Sequence, residues 1–288
     1  MGFNVKNSDM VGVKKAGKTR KIGFRSKNTL TMCGRYYILA AHLTEGPKMA
    51  KKIYFFLFDT ETTQDSMVAD FAGIICDKSG KIYAQIAVLV NGIYTDSENH
   101  PLFHIHGDDS DLWSKAGLPK RYARYNAMVS GGSRMIASIG AINRWLDRAK
   151  AEFDPYLTAY NLAFDVGKCE NTGIDLTMFD KRFCLWYASY SRWAKSKNYR
   201  QFILDHHFFK NPTQLGNMSW STNAETMARF VLGNSEYPDE PHTALEDVID
   251  YELPILKAVV KGKSQKIWSN PEPWNWRDLQ VKDWYKPI

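Results

Sequence analysis

The sequence predicts a mixed α/β domain, and three observations carry that expectation. A short aromatic strand signal, "KIYFFLF", stands near residue 52, a hairpin signal follows it, and clear helical periods then alternate with further short apolar runs. With 288 residues, 44% of them hydrophobic, the chain has room for one such domain and two arms. The expected divisions are a basic leader over 1–48, the domain over 49–262, and a Trp/Pro-rich arm over 263–288.

Lys52 to Phe58 reads as a buried strand, being short, continuous and aromatic. In "DFAGIICDKSGKIYAQIAVLV" two apolar runs flank Asp77-Lys78-Ser79-Gly80, the composition of a hairpin turn. Asn91 to Gly132 is polar and without a period, and is expected to be an irregular loop. From Ser133 to Phe153, the residues Ile136, Ile139, Ile142, Leu146 and Ala149 recur at helical spacing, and Asp154-Pro155 ends the run. A strand at "YLTAYN", a short helix after Phe164 and an apolar run from Phe183 come next. Between Ser189 and Pro212, Arg, Lys, Tyr and Trp interleave, which suits either a groove for a single nucleic-acid strand or a helix with a solvated basic face. "STNAETMARFVLG" has a capped start and a glycine stop. "HTALEDVIDYELPILKAVV" is the last helical segment, with Thr243-x-x-Glu246 as its capping pattern and Pro254 set to kink or restart it. The arm beyond it is expected to pack over the domain surface.

The net charge of +7 is local: residues 1–48 hold ten of the 38 basic and two of the 31 acidic residues, so the remainder is close to neutral. The leader has no apolar stretch of a secretory signal and reads as disordered, and "MAKKIYFFLFDTETT" from Met49 resembles a natural protein start. As a phosphate-binding arm the leader would act through charge. No apolar run approaches the ~20 residues of a membrane span, so a soluble protein without membrane association is expected. The four cysteines form no CxxC pair, consistent with free thiols in a reducing cytoplasm.

Chemistry concentrates at the end of the first strand. Asp59 and Glu61 are two residues apart and project from one face, where their charges repel unless a cation lies between them. Asp165 follows a strand, with Asn161 four residues before it, and His242 precedes a helix whose first turns carry Asp247. Open α/β sheets gather their sites at such element ends. If these ends converge, Asp59, Glu61, Asp165 and Asp247 surround one pocket beside an imidazole, an oxygen-rich set suited to Mg²⁺ or Mn²⁺.

At these residues, "FDTET", "YNLAFD" and "HTALED" resemble the three motifs of the four-acid 3′→5′ exonucleases, in the branch with histidine in the third motif. That family includes the proofreading subunit of bacterial DNA polymerase III, RNase T and oligoribonuclease. The resemblance spans about Lys52 to Val260, and the ordered set with its His-x-x-x-x-Asp spacing is more specific than any single motif. It implies an RNase H-like fold, two metal ions and phosphodiester hydrolysis. Carried over, Asp59 would bridge both ions, Glu61 and Asp247 would complete the first ion's shell, and Asp165 would hold the second ion largely through water. His242 would be the general base. Thr60 would contact the terminal nucleotide through its backbone and Asn161 would join the substrate contacts; Phe164 would stack on that nucleotide, although core packing is the role expected of it first.

The chain departs from compact members in the long segments 91–132 and 189–221 and in both terminal extensions. These features favour DNA, with single-stranded 3′ ends as the partner, a separately encoded polymerase as a further one, and a bacterial or phage-infected cytoplasm as the setting. An RNA-trimming enzyme on the same scaffold and a catalytically silent nucleic-acid-binding module are the alternatives. His100, His104 and His106 are expected to be solvated rather than metal ligands, since no cysteine pair accompanies them.

Overall fold

The computed structural model describes residues 52–105, 113–210 and 218–281. The leader, His106 and Cys33 lie outside the described residues. At the centre is a five-stranded mixed sheet in the order β4-β3-β2-β1-β5, with β1 Tyr54–Thr62, β2 Val68–Asp77, β3 Ile82–Val90, β4 Met135–Ala137 and β5 Tyr156–Thr158. β1 to β3 form an antiparallel meander, while β5 joins β1 and β4 joins β3 in parallel. β1 runs four residues past the expected end at Phe58, so both acids lie within the strand. The β2–β3 turn falls where expected: Asp77 Oδ1 accepts the Ser79 N–H at 2.9 Å, and Gly80 takes φ +85°, which favours glycine.

Alternation along β1 divides the core. Phe55 and Leu57 face a layer built mainly from the helices after residue 184, including α4 Leu185–Ser189, α5 Lys197–His206 and α6 Ala224–Leu232. Phe56 and Phe58 face α1 Leu118–Ser130, α2 Ile139–Phe153 and α3 Leu162–Thr172. The first layer is completed by one long helical segment: α7 Ala244–Glu246, a π-helical turn Asp247–Glu252, and α8 Leu253–Val260.

Several expectations need correction. Residues 91–132 are not wholly irregular, because α1 occupies their end; Tyr122, Tyr125, Met128 and Val129 turn one side of it to the core. The helix expected from Ser133 starts at Ile139, where the Ser138 side chain accepts the Ala141 N–H. Met135–Ala137 instead extends the sheet edge, and Ile136 is half exposed rather than core-facing. The β5 strand closes at Thr158, and α3 begins at Leu162, ahead of Phe164 and not after it. Between Ser189 and Lys210, α5 buries Tyr199 and Ile203, while Arg192 is spent on the Ala258 and Val259 carbonyls at the end of α8. Pro254 restarts the helix, as expected, directly after the π-helical turn.

Cys76 and Cys169 are buried and free, and Cys184 is free and half-buried. Among the described residues no helix is long and apolar enough to cross a membrane.

Gly73 is paired with Phe58 across the meander, and a Cβ there would lie 2.4 Å from the Phe56 ring and 2.9 Å from Phe58 Cβ. Gly73→Ala should therefore destabilise the fold by about 1–3 kcal/mol through overpacking. A denaturant midpoint unchanged from the parent chain would contradict this.

Candidate active site

Asp59 and Glu61 share the sheet face of Phe55 and Leu57, and their partners on β2 are Ala72 and Asp70. Asp70 thus stands directly opposite Glu61, a like-charge pairing that would destabilise the ladder. Other groups neutralise it. Arg134 Nε donates to Asp70 Oδ1 at 3.1 Å, and both side chains are fully buried. Asp70 Oδ2 accepts the Ala244 N–H at 3.1 Å, and Arg134 also pairs with Glu246. The capping expected from Thr243 is therefore supplied from elsewhere: its side chain makes no cap hydrogen bond, and Asp70 binds the first helical N–H in its place. This network fixes α7 against β2 and so sets Asp247, one residue beyond Glu246, over the end of β1.

Asp59, Glu61, Asn161, His242 and Asp247 line one cavity of about 280 Å³. Oxygen or nitrogen atoms of Glu61, His242 and Asp247 lie within 4.8 Å of one another, the one such three-residue metal-capable cluster among the described residues. Asp165, in the first turn of α3, is buried and does not line the cavity wall. Thr60 Oγ1 donates to Asp165 Oδ1 at 2.8 Å and so ties α3 to β1 beside Asp59. Asn161 enters α3 at φ +75°, a conformation asparagine tolerates better than most residues.

Thr60 and Phe164 border a neighbouring cavity of about 310 Å³, which Glu61, Phe103 and Trp113 also line. Phe164 is 47% exposed, so core packing is not its role, and Lys168 Nζ lies 4.8 Å from its ring centre. His100 sits 2.6 Å from Asp65 and the His104 ring 3.2 Å from the Leu102 carbonyl, neither of them in the metal-capable cluster.

The electrostatics are dominated by burial. It pushes the Asp59 carboxyl up to about 7, and burial with the charges of Asp59 and Glu61 pushes Asp247 up to about 10. Glu61 and Asp165 are also held well above the carboxylate range by burial, then by Asp59. His242 is pushed down to about 4 by burial and by Arg121 and Arg124, so its imidazole is neutral at neutral pH. Its ring stands edge-on to Trp113 at 4.4 Å, and Arg124 donates to the Pro241 carbonyl at 2.7 Å, fixing the chain just before it.

Two further carboxylates were not singled out in the sequence. Glu240 and Glu252 line the same cavity, and burial raises both, Glu240 to about 8. Glu252 Oε1 accepts the Tyr160 N–H at 3.1 Å, while its Oε2 and Asp247 Oδ1 are buried without a hydrogen-bond partner. Arg121 was missed as well: it approaches Glu61 at 3.4 Å and lies 4.7 Å from the Trp113 ring. Spacing could have suggested Glu252, five residues after Asp247 in the same helical segment; nothing local marks Arg121 or Asp70. No protein-family model, curated protein or solved structure shows a significant match to this chain.

Two outcomes are expected. Arg134→Ala leaves Asp70 buried without its cation and should cost about 3–5 kcal/mol, measured by chemical denaturation. Equal stability would mean that the network does not anchor α7. The second concerns pH. In metal-free protein the site carboxyls hold protons more tightly when folded than when unfolded, so their contribution to stability is complete below the ordinary value of 3.8 and is lost as pH rises through about 7 for Asp59. Thermal unfolding in EDTA should therefore show a falling Tm between pH 5.5 and 8, and Mg²⁺ should reverse the fall. A Tm in EDTA that rises across this window would contradict the assigned protonation.

Proposed function

We propose that the chain is a metal-dependent 3′→5′ exonuclease that hydrolyses phosphodiester bonds of DNA and releases nucleoside monophosphates. The observation that carries the reading is convergence: residues from three motifs far apart in sequence, Asp59 and Glu61, Asn161, and His242 and Asp247, line one cavity, with Asp165 tied to it through Thr60. The five-stranded mixed sheet, with β1 at the boundary between its antiparallel meander and the parallel β5, is compatible with the RNase H-like arrangement that the motifs imply.

The donor set fits hard divalent cations. Carboxylate oxygens dominate it, a single imidazole accompanies them, and two buried carboxylate oxygens have no donor. From the cavity wall Asp59, Glu61 and Asp247 would hold Mg²⁺ or Mn²⁺, and Asp165, which stands behind them against Thr60, would act on a second ion through water. A pair of such ions, when bound, supplies an activated water and neutralises charge on the leaving oxygen. The remaining work belongs to the chain. His242, neutral and held against Trp113, is able to accept a proton at its free ring nitrogen. Asn161, Asn223 and Lys210 stand on the cavity wall, where amide and ammonium groups would orient a phosphate.

The test is degradation of matched 5′-labelled single-stranded DNA and RNA oligomers with Mg²⁺, Mn²⁺ or EDTA, using the full chain and a chain beginning at Met49. A metal-dependent ladder that shortens from the 3′ end, faster on DNA, is expected. Asp247→Asn should abolish it, and His242→Ala should slow the chemical step by about 10²- to 10⁴-fold. Preference for RNA would redirect the reading to RNA trimming; binding without cleavage of either oligomer would leave a nucleic-acid-binding module.

A further inference from the structure

A second cavity, of about 210 Å³, adjoins the acidic one and shares Trp186, Lys210 and Thr222 with it. Its other walls include Trp220, Trp274 and Trp276, so four indoles border a single cleft. Trp220 is buried in the floor. Trp274 and Trp276 come from the C-terminal arm and stay 38% and 49% exposed; Trp276 has the Arg277 guanidinium 5.3 Å from its ring centre, and both rings present aromatic surface at the cleft.

The rings are held in position. Trp186 Nε1 donates to Thr222 Oγ1 at 3.1 Å, and Trp274 stacks on Trp186 with centroids 5.2 Å apart and planes 27° from parallel. The arm beside them is anchored through Asp278, whose carboxylate accepts from Tyr190 Oη at 2.7 Å and pairs with Lys195 at 3.1 Å. Past it, Gln280 bridges Ser219, and the Val281 N–H donates to the Met218 carbonyl at 3.0 Å, so the arm continues the small β-ribbon formed by Phe209–Lys210 and Ser219–Trp220.

We propose that this cleft is a base-stacking subsite for single-stranded nucleic acid whose 3′ end occupies the acidic cavity. The assignment rests on the exonuclease reading. The occupant follows from three features together. Flat aromatic faces bind a base of any identity by its π-face. Lys210 sits at the junction of the two cavities, where the phosphate linking a stacked nucleotide to the terminal one would pass. The shared wall residues make the path continuous, so one strand is able to occupy both cavities. The arm thereby becomes part of the substrate platform.

The experiment uses the full chain with (dT)8, (rU)8 and thymidine 5′-monophosphate, in Ca²⁺ for binding and Mg²⁺ for turnover. Trp276→Leu keeps apolar bulk and removes the aromatic face; Trp276→Phe restores one. Quenching of tryptophan fluorescence by (dT)8 is expected, with affinity about tenfold weaker in Trp276→Leu and largely recovered in Trp276→Phe, a change within the range of a single base stack. The ratio of (dT)8 affinity to monophosphate affinity should fall by the same factor. Tighter quenching by (dT)8 than by (rU)8, or the reverse, identifies the strand that the platform takes. Undiminished (dT)8 affinity in a folded Trp276→Leu, or equal weakening for (dT)8 and the monophosphate, would overturn the subsite. The two readings fail separately: cleavage with unaltered affinity in Trp276→Leu retains the exonuclease and removes the platform, whereas Trp276-dependent binding without any cleavage retains the platform alone.

Discussion

The arrangement depends on holding mutually repelling carboxylates at the end of one buried strand. Asp59 and Glu61 share a face of β1, Asp70 stands opposite Glu61, and Asp247 is brought down from above. A site of this kind would splay apart without a rigid frame, because each added acid raises the cost of ionising the others. The Asp70–Arg134–Glu246 network provides that frame. It converts the one carboxylate on this face that does not line the cavity into a clamp, satisfying a guanidinium and a helix N-terminus at once. Arg134 is fully buried because its work is done between elements, with Asp70 on β2 and Glu246 on α7 as its partners.

The helical segment above the sheet solves a second problem. Asp247 and Glu252 both reach the cavity although they are five residues apart, a separation that an α-helix does not keep on one face as well as three or four. The π-helical turn over Asp247–Glu252 removes the conflict by widening the helix for one turn, and Pro254, which has no N–H to donate, follows directly and restarts the α-helix. Glu252 then reaches back to the Tyr160 N–H just beyond β5. One irregular turn thus links the helix that carries Asp247 to the loop that carries Asn161.

Strand β1, the β2–β3 hairpin, α6 and the motif residues were legible because each rests on a local rule: alternation, turn composition, capping, fixed spacing. α1 was not, since its aromatic stripe of Tyr122 and Tyr125 is masked by the surrounding Lys, Arg and Asn. Ile136 misled for the opposite reason: it fits the helical period, but Ser138 caps the helix after it, and the sheet edge claims Met135–Ala137. At the site, the motifs located Asp59, Glu61, His242 and Asp247 on one cavity, yet Asp70, Arg121, Glu240 and Glu252 were missed. Their partners lie in other elements, and a charge buried through tertiary contact has the same sequence appearance as one in water. Phe164 was misread: an aromatic ring in an apolar run suggests core packing, and only its 47% exposure rules that role out.

An acidic cavity repels a polyanion, so on the exonuclease reading affinity for the strand has to come from outside the carboxylate cluster. Cations in the cavity would offset that repulsion at the scissile phosphate but would do little for nucleotides further along. Beyond residue 48 the sequence is nearly neutral, and two arginines of the basic stretch after Ser189 are engaged internally, Arg192 on helix carbonyls and Arg200 on the Asp278 carbonyl. Stacking does not depend on the sign of the local potential. A cleft of indoles reached past one lysine is therefore the form of strand binding most compatible with such a cavity, and it gives the tryptophan-rich arm a reason to lie where it does.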